Sequence, residues 1–140
     1  MIVERATVEH FRRLTVQPHQ RIHLGLLDEP DYLRDLLELG ALAASDGERT
    51  LIVAGILDKG GGRGEPWAWL AADLKREMLG VTRLSRNYLA ASPFRRLEFC
   101  TDPRLPECTR WARALGFKLE AVLQSWCSDG GSAFMWARVR

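Results

Sequence analysis

Two histidines, His19 and His23, stand four residues apart. On a helix that spacing puts both imidazoles on one face, where they could grip a metal ion. Pro18 interrupts the local helical pattern and no third ligand is evident. An ordinary polar surface therefore accounts for the pair as well, and no metal is expected. "GGGRGEP" (60–66) has the glycines of a phosphate-binding loop. It lacks the Gly-Lys-Ser/Thr ending and joins two strand-like segments instead of opening a helix. It reads as a flexible hairpin loop, with a mobile flap over a substrate as the alternative. Cys100, Cys108 and Cys127 are odd in number and have no CxxC spacing, as reduced thiols in a cytoplasmic protein would be. Most of the five tryptophans fall at core positions of strands or helices, although Trp67, beside the glycines, could pack or stack on a ligand.

The chain of 140 residues suits a single domain, 1–140, large enough to bury a core without disulfides or metal. Its composition is 46% hydrophobic and 27% charged. No apolar run reaches the ~20 residues of a membrane span. The N-terminal "MIVERATVEHF" carries Glu4 and Glu9 in place of an apolar signal core, which points to the cytoplasm. A net charge of +2 argues against nucleic acid as a partner. The local basic cluster Arg83, Arg86, Arg95 and Arg96 reads as a solvated face.

"IVERA" (2–6) alternates as a half-buried strand does. Thr7 caps a helix to about Leu14, and Asp28 with Pro30 starts another whose apolar face is Tyr32, Leu33, Leu36 and Leu37. "GALAAS" (40–45) and "RTLIVAGIL" (49–57) are strands joined by a tight Asp46-Gly47 turn. After the glycine loop comes a third strand, 67–74, with Trp67 and Trp69 on one face. Residues 75–83 form a loop, and 81–92 a helix that Pro93 ends. "RRLEFCT" (95–101) alternates again. Pro106 opens a last helix with Trp111, Ala114 and Leu115 as its stripe. Gly116 ends it in the left-handed conformation. "KLEAVLQSW" then pairs with "SAFMWARVR" across "CSDGG".

This order, β-α-α-β-β-β-α-β-α-β-β, resembles the GNAT superfamily of N-acetyltransferases over nearly the whole chain. The residues that carry the resemblance most specifically are "ARALGF" (112–117) followed by a strand hairpin. Within that superfamily the chain looks like the small acetyltransferase-like proteins of tailed phages, an impression to which "EPWAWLAAD" adds. The resemblance implies an α/β (α+β) fold: a mixed, mostly antiparallel sheet of six to seven strands flanked by about four helices. It also implies acetyl-CoA as the acyl donor and an amine, on a small molecule or a protein, as the acceptor.

GNAT proteins cradle the donor's pyrophosphate in an Arg/Gln-x-x-Gly-x-Gly/Ala loop before a helix. The matching stretch here is "KREMLGVTR" (75–83), a degenerate version with Gly80 one position late. By that match Leu74, Arg76, Leu79, Gly80, Val81 and Thr82 face the donor, with Lys75 and Arg83 adding charge. The same stretch also reads as a glycine turn with a threonine cap. The family's general base is often a carboxylate on the fourth strand, which leaves Glu65, just before that strand, and Asp73, near its end. Either could equally be a solvent-facing or capping carboxylate. The family's usual tyrosine acid falls on Ala112, and Cys108, Ser125 and Tyr88 are other donors nearby. The alternative is a fold that has lost its chemistry and acts as a virion component or binds a host protein.

Overall fold

The computed structural model describes residues 1–140, the side chains of residues 22–24 excepted. Its elements are β1 (Ile2–Arg5), α1 (Val8–Arg12), a 3-10 turn (Pro18–His23), α2 (Leu24–Leu27), α3 (Pro30–Glu38), β2 (Leu42–Ser45), β3 (Thr50–Gly60), β4 (Arg63–Leu70), α4 (Glu77–Ala91), β5 (Arg96–Thr101), α5 (Pro106–Ala114), β6 (Lys118–Leu123) and β7 (Ala133–Val139). The seven strands form one mixed sheet in the order β1-β2-β3-β4-β5-β7-β6, so the expected fold class holds. The pairing of β4 with β5 is parallel, at Arg63↔Arg96 and Gly64↔Leu97. The pairs β1–β2, β2–β3, β5–β7 and β6–β7 are antiparallel. Among the described residues no helix is long and apolar enough to cross a membrane.

The chain divides into two compact units: residues 1–57 with 67–81, and residues 58–66 with 82–140. In the first unit, β2 and β3 bury Ala43, Ala44, Leu51, Ile52 and Val53 with Phe11, Leu36, Trp69 and Leu70. The Asp46-Gly47 turn forms as expected. Gly47 has φ +101°, and the Asp46 carboxylate accepts the amides of Glu48 and Arg49, both at 2.9 Å. Trp69 Nε1 donates to the Tyr32 hydroxyl at 3.3 Å. Trp67 packs flat against Gly55: a Cβ there would lie 2.7 Å from its ring, so the sheet needs glycine at 55.

In the second unit the core is Trp136, Phe117, Leu97, Leu115 and Ala112. The Phe99 and Phe117 rings meet edge to face at 4.7 Å, and Trp136 Nε1 donates to Thr101 Oγ1 at 2.8 Å. Gly116 ends α5 as the sequence predicts, with φ +91°. Its amide bonds Arg113 O at 3.0 Å and the Phe117 amide bonds Ala112 O at 3.1 Å, the paired closure of a left-handed cap. Buried Glu98 collects three cations: Arg63 Nε at 2.9 Å, Arg96 Nε at 2.8 Å and Lys59 at 3.4 Å. Arg96 reaches on to Glu120 at 2.9 and 2.6 Å.

Four local expectations are corrected. β1 is exposed at all four positions instead of half-buried, because it lies at the edge of the sheet. The glycine loop is shorter than the expected 60–66. β3 and β4 run through it to a two-residue Gly61-Gly62 turn, with φ +63° and +76°, the signature that suits a twisted hairpin. Arg95 donates to Gly61 O at 2.9 Å and the Arg96 amide to Gly62 O at 3.2 Å, which fixes the turn. The third strand is therefore 63–70, not 67–74. Finally, α4 begins at Glu77, four residues before the expected 81, so residues 77–80 are helical, not loop. Glu, Met and Leu are good helix formers, and Gly80 alone does not outweigh them.

Candidate functional site

The stretch that the resemblance singles out opens where β4 ends. Ala71 and Ala72 are held by Leu51 O at 2.9 Å and Thr15 O at 2.7 Å. Leu74 then sinks into the core of the first unit, while Asp73 and Lys75 on either side are left-handed, with φ +60° and +36°. Non-glycine residues in that region cost on the order of 1 kcal/mol or more each. Burial of Leu74 and two amide bonds, Glu77 to Leu74 O at 2.7 Å and Met78 to Lys75 O at 3.3 Å, offset that cost. Strained backbone just before a helix start is where functional loops concentrate.

The first four amides of a helix lack intrahelical partners. Those of Glu77 and Met78 are used as just described, which leaves Leu79 as the helical amide open to a ligand, since i→i−4 pairing begins with Gly80 on Arg76. The Val81 and Thr82 amides lie deeper, where a helix satisfies them from Glu77 and Met78. A helix start offers fewer free amides than the loop expected over 75–83. Val81 is fully buried, so its side chain is core. The Thr82 hydroxyl accepts from Trp111 Nε1 at 3.1 Å and ties α4 to α5. Leu79 is 62% exposed, and a Cβ on Gly80 would meet the Met1 methyl at 2.8 Å. Arg76 is exposed and forms no ion pair among the described residues, whereas Lys75 pairs with Asp73 at 3.3 Å.

Arg49 was not legible as part of this place. It donates to Ala72 O at 3.2 Å and pairs with Glu77 at 3.5 Å and Asp46 at 3.4 Å. It neutralises the one acidic side chain in the first turn of α4. Lys75 is likewise held by Asp73, so Arg76 is the cation at the helix start, the positive end of the dipole, that has no ion pair among the described residues. Arg49 is hidden by its sequence distance of more than twenty residues: only the pairing of Ala71 with Leu51 brings it alongside.

Glu65 lies within β4 and not before it, half-buried in the second unit. Burial, followed by the charge of Glu65, pushes the Cys100 thiol above its ordinary range. Burial also raises the Tyr88 phenol and the Cys108 thiol. Asp73 lies beyond the strand on the exposed loop of the first unit. Ala112 is a fully covered methyl on α5 and offers no proton. His19 is half-buried and the His23 side chain lies outside the described residues, so their pairing as metal ligands has no geometry to report. Among the described residues no group of three or more His, Cys, Asp or Glu side chains could hold a metal.

No protein-family model matches this sequence, and no curated protein matches it. Solved structures do match its fold. Ard1 from Thermoplasma volcanium aligns with a TM-score of 0.76 at 10% identity, over 99% of this chain and 96% of that one. A GNAT-family acetyltransferase from Bacillus cereus aligns at 0.73 and 12% identity, again over 99% and 96%. An aminoglycoside 6′-acetyltransferase of type Ii aligns at 0.68 and 18% identity, over 99% and 97%. At these identities the likeness establishes a GNAT-like fold.

Proposed function

We propose that this chain, a single GNAT-like domain over residues 1–140, is an acetyl-CoA-dependent N-acetyltransferase acting on an amine. The observation that carries the reading is the start of α4: the open amide of Leu79 and the exposed Arg76, at the fold position where acetyltransferases hold a pyrophosphate. The residues fit that group. Arg76 is exposed and has no ion pair among the described residues, and Arg49 cancels the charge of Glu77. Leu74 and Val81 shape the turn from inside the core; Arg76, Leu79 and Gly80 face the donor. The fit is tightest at Gly80, where the Met1 methyl must lie aside for phosphate to approach.

The chemistry is an attack of the neutral amine nitrogen on the thioester carbonyl. The C–N bond forms, the C–S bond breaks, and the nitrogen loses a proton. Glu65 and Asp73 are the carboxylates proposed to take it; Glu65 stands on β4 itself, and Asp73 is also the partner of Lys75. The leaving thiolate needs no dedicated acid. A thiol ionises near ~8.5, so its anion leaves tolerably near neutral pH and takes a proton from water. A buried Ala112 thus does not bar the reaction, though it slows the departure relative to a tyrosine acid. The acceptor class is amine-bearing, in keeping with the aminoglycoside enzyme among the structural neighbours.

A second reading is favoured by two specific observations: the buried methyl of Ala112 and the Met1 methyl over Gly80. Under it the chain keeps the fold without the chemistry and acts, as in tailed phages, as a virion component or a host-protein binder. Thiol release from acetyl-CoA, followed by mass spectrometry of the acceptor, separates the two. The test set is a polyamine, an aminoglycoside and a peptide with a free N-terminus. Acetylation of any of the three above the uncatalysed rate is expected. Thiol release no faster than in buffer with every one of them supports the second reading.

A further inference from the structure

Among the described residues β4 pairs with β5 at Arg63 and Gly64. Further along β4, the edge away from β3 has a different occupant. Alternate residues of a strand turn their backbone N–H and C=O to opposite edges. The Ala71 amide turns to β3, where it donates to Leu51 O at 2.9 Å. Ala68 and Leu70, of the other parity, present theirs to the opposite edge, and residues 15–20 lie along it. The Ala72 amide donates to Thr15 O at 2.7 Å, Val16 pairs antiparallel with Ala71, and the Gln17 amide donates to Leu70 O at 3.0 Å. Pro18 has no N–H to continue this ladder, and the 3-10 turn begins there. A side chain completes the edge instead. The Leu70 amide donates to Gln20 Oε1 at 3.0 Å, and Gln20 Nε2 donates to Ala68 O at 2.8 Å.

An acceptor and a donor on either side of Trp69 are what an extended chain carrying amides would engage. Gln20, half-buried, meets both with one carboxamide. The same stretch of chain runs on through Ala71 and Ala72 to Leu74 and the start of α4. The pantetheine arm of acetyl-CoA, between its phosphates and its thioester, is an extended chain carrying amides. We propose, resting on the placement of the donor's phosphates at the start of α4, that Gln20 is a plug: its carboxamide covers Ala68 O and the Leu70 amide in the resting protein and swings out before the arm can lie along β4. The two parts of the 15–20 segment suit fixed and moving roles. Residues 15–17 are held through their backbone and by buried Val16. Gln20 reaches β4 only through two neutral hydrogen bonds of its side chain, which water replaces once the carboxamide turns outward. Leu70 is buried, so its amide needs a partner in both states: the plug at rest, an amide of the donor when bound.

Acetyl-CoA titrated into wild type, Gln20→Ala and Gln17→Ala tests this, with a thermal melt showing that each protein is folded. Removing the plug removes the population that cannot bind. Gln20→Ala should therefore bind about tenfold tighter than wild type, as for a plug in place roughly nine-tenths of the time. Gln17 engages β4 through its backbone, so Gln17→Ala should keep the wild-type affinity. The Gln20 side-chain amide gives a second readout: in isotope-labelled wild type its nuclear resonances should move toward those of free glutamine as acetyl-CoA saturates the protein. Saturable binding that is no tighter in Gln20→Ala, or that leaves the Gln20 resonances unmoved, overturns the plug and leaves the enzyme reading standing. An equal gain in Gln17→Ala overturns it too, since loosening of the whole segment would then be the cause. Absence of binding to both wild type and Gln20→Ala removes the enzyme reading, and the plug with it.

Discussion

Trp136→Ala is expected to lower the unfolding free energy by about 3–5 kcal/mol, the range for emptying a large aromatic site. Trp136 is fully buried on β7, and four kinds of contact depend on it. It fills the core, meets Phe134 edge to face, donates to Thr101, and carries the Arg113 guanidinium 5.7 Å from its ring centroid. Trp136→Phe should be milder, because it keeps an aromatic ring and leaves only the Thr101 hydroxyl without its donor. Urea unfolding of the three proteins gives the comparison. A midpoint for Trp136→Ala within error of wild type would mean that the second unit does not fold around this ring.

The second large effect concerns acid. Three cations around Glu98 hold its carboxyl at about 2, against an ordinary 4.5, with Arg63 the largest contributor and Arg96 next. A depressed carboxylate stabilises fully above its unfolded value, and that contribution drains away as pH falls from ~4.5 towards ~2. The shift corresponds to roughly 3 kcal/mol. The Arg63 and Lys59 side chains are 47% and 33% exposed, so solvent screening reduces the expectation to about 2 kcal/mol. Unfolding free energy measured from pH 7 to pH 3 should therefore fall more steeply in wild type than in Glu98→Gln. The variant should start lower at pH 7 and converge with wild type in acid. Parallel curves would show that Glu98 retains its ordinary titration and that the cations serve something else.

Local signals in the sequence were accurate where the structure is local. Pro106 and Gly116 fix both ends of α5 by backbone chemistry alone, and Asp46-Gly47 fixes its turn. Gly80 misled about the backbone alone, because a glycine in the first turn of a helix reads as a loop glycine. Two glycines with positive φ at 61 and 62 make a tight turn, but the same letters read as a long flexible loop. What could not be read depends on the sheet. Arg49 meets Ala72, and Glu98 meets Lys59 and Arg63, only because strands distant in sequence lie side by side. The bulge between Leu119 and Ala121 leaves no mark in "KLEAVL". Of the candidate site, the Lys75-Arg76 pair and the helical state of Val81 and Thr82 were legible, that of Leu79 and Gly80 was not, and Glu65 was seen without its place inside β4.

Calorimetric titration with acetyl-CoA, on wild type and on Arg76→Glu, tests the central claim most directly. Arg76 suits the comparison because it is exposed and has no ion pair among the described residues, so reversing its charge should leave the melting temperature nearly unchanged. Wild type is expected to give saturable heat in the micromolar to millimolar range usual for enzyme substrates. In Arg76→Glu the attraction becomes repulsion, and affinity should fall about tenfold or more, ~1.4 kcal/mol. Wild-type protein that melts cooperatively yet gives no heat at millimolar acetyl-CoA would contradict the enzyme reading. Binding that Arg76→Glu leaves untouched would contradict the placement of the donor at the start of α4.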